Sequence, residues 1–451
     1  MLASTSFAFA QGDLQFTPLV YAGNVHVSCN GASDGAVSVQ PQVGTAPYAY
    51  SWTGPSGFTS IDSAITGLVA GKYVVEVTDG GLNTYTDSII LTQPDVLTSS
   101  GAVRTYFGGS NISCNGRNDG FINLTIAGGV APYNYSWFGP NGFSNAVDED
   151  INNLIPGTYD VTVTDQNGCV TTNSFTLVEP DPVVVTSITS PTYYGGTNTT
   201  CFQAGDGSIQ MDVIGGSGQY TYLWNGPQGI DATVQDPTNL RAGTYTVTVV
   251  DQNGCSTIAS ITLTAPEALT AASVPFLHSG GYNISCYGEF DGQVTLLPNG
   301  GTPPYDYSWT GPNGFTANTK DLANVEGGVY TCLITDSLGC QFSETILLEE
   351  PDSLNLTGNV ANDVSCFGLA DGSIQVNVTG GVPIGSTAPF YEFAWFKDND
   401  PNPFALTGNV SGLDVGTYTL FVMDNNGCVT SATYVIDQPD ELLLEAEPIV
   451  H

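Results

Sequence analysis

Residues 132–142 read Pro-Tyr-Asn-Tyr-Ser-Trp-Phe-Gly-Pro-Asn-Gly. Successive side chains of a β-strand point to opposite faces, so Tyr133, Tyr135 and Trp137 line one side of an extended segment. The Gly-Pro-x-Gly that follows is a turn signal. The same ladder returns as Tyr48/Tyr50/Trp52, Tyr220/Tyr222/Trp224, Tyr305/Tyr307/Trp309 and, with one phenylalanine, Tyr391/Phe393/Trp395. The tryptophans are 85, 87, 85 and 86 residues apart, and the chain has 5 in all. A fixed period of this size predicts an array of small units.

Around each ladder lies a larger cassette. It opens with Cys and then Asp-Gly: Cys29 with Asp34, Cys114 with Asp119, Cys201 with Asp206, Cys286 with Asp291 and Cys366 with Asp371. An alternating strand follows, then Gly-Gly, the ladder and the turn. Next come Gly-x-Tyr, alternating Val or Thr, and Asp-x-x-Gly-Cys, as in Asp165 to Cys169, Asp251 to Cys255, Asp336 to Cys340 and Asp424 to Cys428. The first copy has Asp79 but carries Asn83 where the closing cysteine belongs. Each unit ends at Pro plus an acid, such as Pro94-Asp95 and Pro180-Asp181. No segment has a sustained helical period, so the chain reads as all-β.

The Gly-x-Tyr-x-Val pattern and about seven short strands per period point to an immunoglobulin-like sandwich with a tyrosine corner. The expected organisation is a linear tandem array of five such domains of about 86 residues each: residues 12–94, 95–180, 181–266, 267–351 and 352–439. Residues 1–11 read as a signal remnant or disordered terminus, Ala8-Phe9-Ala10 resembling a secretory cleavage site. Residues 440–451 read as the first strand of a further repeat or a strand donated to a neighbour. Linkers of Pro plus one acid predict a stiff row.

Composition narrows the function. Six Lys and Arg stand against 43 Asp and Glu, a formal net charge of −37. With no basic stripe there is nothing to neutralise a nucleic-acid backbone or grip an anionic lipid surface. No apolar run is long enough to span a bilayer. His26, His278 and His451 stand in unrelated contexts, so no Ser-His-Asp or Cys-His constellation can be drawn, and the chain reads as non-catalytic.

Ten cysteines imply disulfides and an oxidising, extracellular compartment. Pairing within a repeat gives Cys114–Cys169, Cys201–Cys255, Cys286–Cys340 and Cys366–Cys428. It leaves Cys29 unpaired opposite Asn83, and Cys332 unpaired in the place of a strand valine (Val247 in the preceding copy). Joining a closing cysteine to the next opening one, as in Cys169–Cys201, leaves four unpaired. The intra-repeat scheme is therefore expected. Zinc is excluded by the lack of any C-x-x-C cluster.

The combined cassette, Cys-x-Gly-x-x-Asp-Gly, Gly-Gly-x-x-Pro-Tyr-x-Tyr-x-Trp and Gly-x-Tyr-x-Val-x-Val-x-Asp-x-x-Gly-Cys, resembles the SprB-type repeat of Bacteroidota cell-surface proteins, which include a gliding-motility adhesin. The resemblance spans roughly residues 12 to 440. It implies export across the outer membrane, by type IX secretion, and a place in surface filaments or adhesins. The chain departs from the pattern at Asn83, at Gln219 before the third ladder, and in the fifth copy, which inserts residues at Pro383 to Thr387 and lacks the Gly-Pro-x-Gly turn.

Two readings of function remain. In the first, the array is a structural stalk or filament, its partners being further repeats of the same or identical chains. In the second, it is a multivalent adhesin that binds glycans or other cells, which predicts an exposed patch shared by every copy. The aromatic ladder reads as a core stripe, with a sugar-stacking platform as the alternative. The recurring acids Asp34, Asp79, Asp119, Asp165, Asp206, Asp251, Asp291, Asp336, Asp371 and Asp424 read as turn formers, with Ca²⁺ coordination as the alternative. No other cofactor is implied.

Overall fold

The computed structural model describes residues 12–227, 230, 232–387 and 390–443. The terminal stretch 1–11 lies outside them, as does most of 440–451; residues 440–443 are coil.

Repeat 1 shows how the sequence makes the unit. Its strands are β1 (Leu14–Pro18), β2 (Gly35–Pro41), β3 (Ala49–Thr53), β4 (Thr59–Ser60), β5 (Ala64–Leu68), β6 (Gly71–Thr78) and β7 (Thr84–Leu91). They form two antiparallel sheets, ordered β1-β2-β5 and β4-β3-β6-β7. Alternate residues of both inner faces meet in one core: Val37 and Val39 from β2, Trp52 from β3, Ile65 and Leu68 from β5, and Tyr73, Val75 and Val77 from β6. Two antiparallel sheets closing on one shared core make an immunoglobulin-like sandwich.

Four more cores of the same kind follow, centred on Trp137, Trp224, Trp309 and Trp395. The chain is a tandem array of five such sandwiches. Among the described residues the β4 equivalent is absent from repeats 3 and 5, and in repeat 5 a single bridge from Trp395 to Ala405 takes its place. Repeat 5 is also the copy whose sequence lacks the Gly-Pro-x-Gly turn.

The ladder is a buried spine. Every tryptophan is at most 1% exposed, and each indole Nε1–H donates to a backbone carbonyl 10–12 residues on, such as Asp148 from Trp137 at 3.2 Å. The leading tyrosine donates to a carbonyl behind it, as Tyr133 does to Gly128 at 2.8 Å. A sugar-stacking role for the indoles is thereby removed. The second tyrosine signature is a true corner: Tyr73, Tyr159, Tyr245, Tyr330 and Tyr418 each donate to the carbonyl four residues earlier, at 2.8–3.1 Å. Burial raises the pKa of these phenols, that of Tyr330 to about 12, with the nearby Glu326 charge adding to the effect.

Strand direction puts the two cysteine positions of a repeat at opposite tips. The opening cysteine lies where the last strand ends: the amides of His26 and Val27 donate to Thr92 O, just past β7. The closing position lies in the turn where β7 begins. A strand of 8 residues separates them by about 27 Å, whereas a disulfide requires Cα atoms within about 7 Å.

Candidate functional site: the repeat junctions

The intra-repeat pairing is therefore wrong. The opening cysteine of each of the first four repeats bonds the closing cysteine of the next: Cys29–Cys169, Cys114–Cys255, Cys201–Cys340 and Cys286–Cys428, with Cα–Cα distances of 5.5–5.7 Å. Cys29, expected free, is paired; Cys366, expected to pair with Cys428, is an exposed free thiol. Cys332 is free and fully buried in the core of repeat 4, where burial raises its thiol pKa.

Each junction is thus held twice, by the linker and by a disulfide beside it. The linker itself is pinned by the Gly-Gly pair of the incoming repeat. Gly129 N donates to Asp95 O at 3.0 Å. A Cβ on Gly128, whose φ is +72°, would lie 2.0 Å from Val96 O, so no other residue fits. Gly215, Gly300 and Gly380 stand in the same relation to Pro182 O, Ala268 O and Ser353 O. Repeat 1 has Val43 at this position and Asn83 for the cysteine, so it lacks both fixtures.

A third set of contacts surrounds the disulfide. Cys169 Sγ sits 3.3 Å from Ser28 O, and the Asn167 amide donates to Ala22 O and Ser28 O, both at 3.2 Å. At the next junction Asn253 exchanges two hydrogen bonds with the Phe107 backbone, at 2.9 and 3.1 Å. Between repeats 4 and 5, Asn426 donates to Ser279 O and Ser285 O at 3.3 and 3.0 Å. Between repeats 3 and 4 the equivalent residue is Leu338, which has no polar group to offer; Cys340 Sγ still lies 3.3 Å from Thr200 O.

The recurring aspartates build these junctions from both sides. Asp119 accepts from the amide and hydroxyl of Ser113, next to Cys114. Asp34, Asp206 and Asp371 clasp Ser28, Thr200 and Ser365 in the same way, and Asp291 accepts from the Ser285 amide. Partial burial pushes the Asp119 carboxyl up, but the hydrogen bonds from Ser113 and Tyr106 outweigh it and hold it below its usual value. The second acid shapes the closing turn. Asp165 accepts from Asn167 N at 2.9 Å, Cys169 N at 2.8 Å and Val130 N at 2.8 Å. Asp79, Asp251, Asp336 and Asp424 repeat this pattern.

Within a repeat these two acids sit at opposite tips; the disulfide instead brings Asp119 of one repeat beside Asp251 of the next. Their oxygens are taken by N–H and O–H donors. Among the described residues no three His, Cys, Asp or Glu side chains converge as a metal site would require.

The SprB repeat family profile matches five times, at residues 25–57, 110–142, 197–229, 282–314 and 358–396. The chain carries five SprB repeats. Each match runs from just before the opening cysteine to just past the ladder. No match emerged among curated proteins. Among solved structures, the N-terminal eight Ig domains of Down syndrome cell adhesion molecule resemble it at 14% identity, covering 93% of this chain and 69% of that one, with a TM-score of 0.24. A tetra-tandem repeat from the extending region of a large adhesion protein resembles it at 14% identity, over 72% of this chain and 97% of that one, with a TM-score of 0.24. The human desmocollin-1 ectodomain does so at 12% identity, over 90% and 96%, with a TM-score of 0.24. Scores of this size carry no inference about function.

Proposed function

We propose that these five SprB repeats form a stiff, non-catalytic stalk segment on the outside of a bacterial cell. The observation that carries this reading is the second covalent tie at every junction. A lone short linker leaves two domains free to swing; a disulfide beside it removes most of that freedom. Such bonds persist only in an oxidising compartment, which favours a cell-surface location. Among the described residues no helix is long and apolar enough to cross a membrane.

The test is the distribution of end-to-end lengths by electron microscopy. The oxidised chain should give one narrow population. The variant carrying Cys169→Ser, Cys255→Ser, Cys340→Ser and Cys428→Ser should give a broad, bent one. Equal breadth in both would defeat the stalk reading.

Tension offers a further check. The shortest covalent route from Cys29 to Cys428 passes from Cys169 to Cys201 and from Cys340 back to Cys286. That is about 86 residues of backbone, so a pulled oxidised chain should stop extending near roughly 300 Å between those points, against roughly 1,400 Å after reduction.

The adhesin reading calls for an exposed patch shared by all copies. The residue just after the ladder, on the outer face, is Thr53, Phe138, Asn225, Thr310 and Phe396 in turn. That variability supports the stalk over direct adhesion.

A further inference from the structure

Repeat 5 presents a socket that is occupied in every other repeat. Ser365 N and Oγ donate to Asp371 at 2.9 and 2.5 Å, as Ser28 and Ser113 do to their own aspartates. Leu369 N donates to Cys366 O at 3.1 Å, matching Arg117 N to Cys114 O at 3.0 Å. Gly368 N donates to Gln438 Oε1 at 2.9 Å, matching Gly31 N to Gln93 Oε1 at 2.8 Å. The loop is therefore built and tied to the end of its last strand as in repeats 1, 2 and 4, yet Cys366 is free and exposed.

A second feature lies beside it. Leu442 follows Pro439 by three residues, as Leu97 follows Pro94 and Leu269 follows Pro266. Leu97 and Leu269 are each 9% exposed, Leu269 as part of the core of its repeat, whereas Leu442 is 88% exposed. An apolar side chain that is buried at earlier junctions is here left uncovered by any of the described residues.

We propose that this tip of repeat 5 is a docking site for another SprB-type unit joined directly after Pro439, received through its Asp-x-x-Gly-Cys turn and closed by a disulfide to Cys366. The Cys366 thiol and the thiol of the turn each lose a proton, and their sulfurs join. The two electrons reduce a low-molecular-weight disulfide, such as oxidised glutathione, to two thiols. Repeat 1 of a second copy cannot fill this role, because Asn83 has no sulfur.

Repeat 5 also lacks the loop that contains Gly23, Gly108, Gly195 and Gly280 in the earlier repeats; its strand Asn355–Asn362 runs on to within three residues of Ser365. In those repeats this loop touches the next unit, Gly108 against Ser217 and Gly280 against Val382. The proposed junction therefore rests more heavily on its disulfide, as the junction at Leu338 does. This inference concerns what repeat 5 binds, and it stands whether or not the array is stiff.

The test replaces residues 441–451 of the chain with a copy of residues 96–180, joined to Asp440, and oxidises the protein with a glutathione redox buffer. Cys366 should become inaccessible to maleimide, and peptide mapping should find it bonded to the copied Cys169. In the Cys366→Ser version the copied Cys169 should stay alkylatable while the four native disulfides remain. A free Cys366 beside a folded sixth unit, detected by a sixth buried indole, overturns the proposal. So does an appended unit that stays unfolded on an otherwise intact chain.

Discussion

The junction between repeats 2 and 3 and the one between repeats 3 and 4 have the same disulfide geometry but different surroundings. The first has Asn253 exchanging hydrogen bonds with the Phe107 backbone. The second has Leu338 in that position, and Gly195 merely approaches Thr302. Beyond the pinned linker they share, one junction has covalent and polar clamps and the other only the sulfur bridge. The contrast teaches that the pinned linker and the disulfide dock two repeats without the asparagine, which adds a polar clamp.

The strongest way to break the comparison is to remove the bridge at each junction in turn. Cys340→Ser should loosen the junction of repeats 3 and 4 more than Cys255→Ser loosens its neighbour, as read by interdomain relaxation anisotropy in solution. Each ring closes roughly 140 residues, so either change should also lower stability by about 5 kcal/mol in the chain-entropy account. Equal loosening would deny Asn253 any share in docking.

A smaller effect is expected from the polar clamp. Asn253→Ala should cost about 1 kcal/mol and speed hydrogen exchange at Phe107. Leu338→Asn should slow exchange in the loop around Gly195 by supplying the missing donor. The smallest effect concerns pH. The Asp119 carboxyl is held below its unfolded value, so its contribution is fully present above about pH 4. That contribution is lost as pH falls through the folded value. Ser113→Ala should bring the Asp119 titration, followed by carbonyl NMR, back up toward the ordinary range.

Much of this molecule was legible in its residues. The period of the tryptophans set the number of units, and alternation in stretches such as 157–164 located the strands. Gly-x-Tyr identified the corner that Tyr159 and its counterparts form. The disulfides were misread because counting leftover cysteines favoured partners that strand geometry forbids: Cys114 and Cys169 belong to opposite tips of one sandwich. A signal was present. If openings pair with closings one repeat on, the two positions left over are the first closing site and the last opening site, which are Asn83 and Cys366. The role of Gly-Gly was also hidden, since Gly128 is required by a linker carbonyl that only the folded junction brings near.

The staggering of the four bridges has a consequence for damage. Every peptide bond between Cys29 and Cys428 lies inside at least one disulfide ring, because each ring begins before the previous one closes. A protease that nicks any single loop in that span therefore releases nothing. All six Lys and Arg residues fall within it, so one trypsin-like cut anywhere leaves a single molecule, still tethered across the wound, as in a rope whose strands are spliced with overlapping ends.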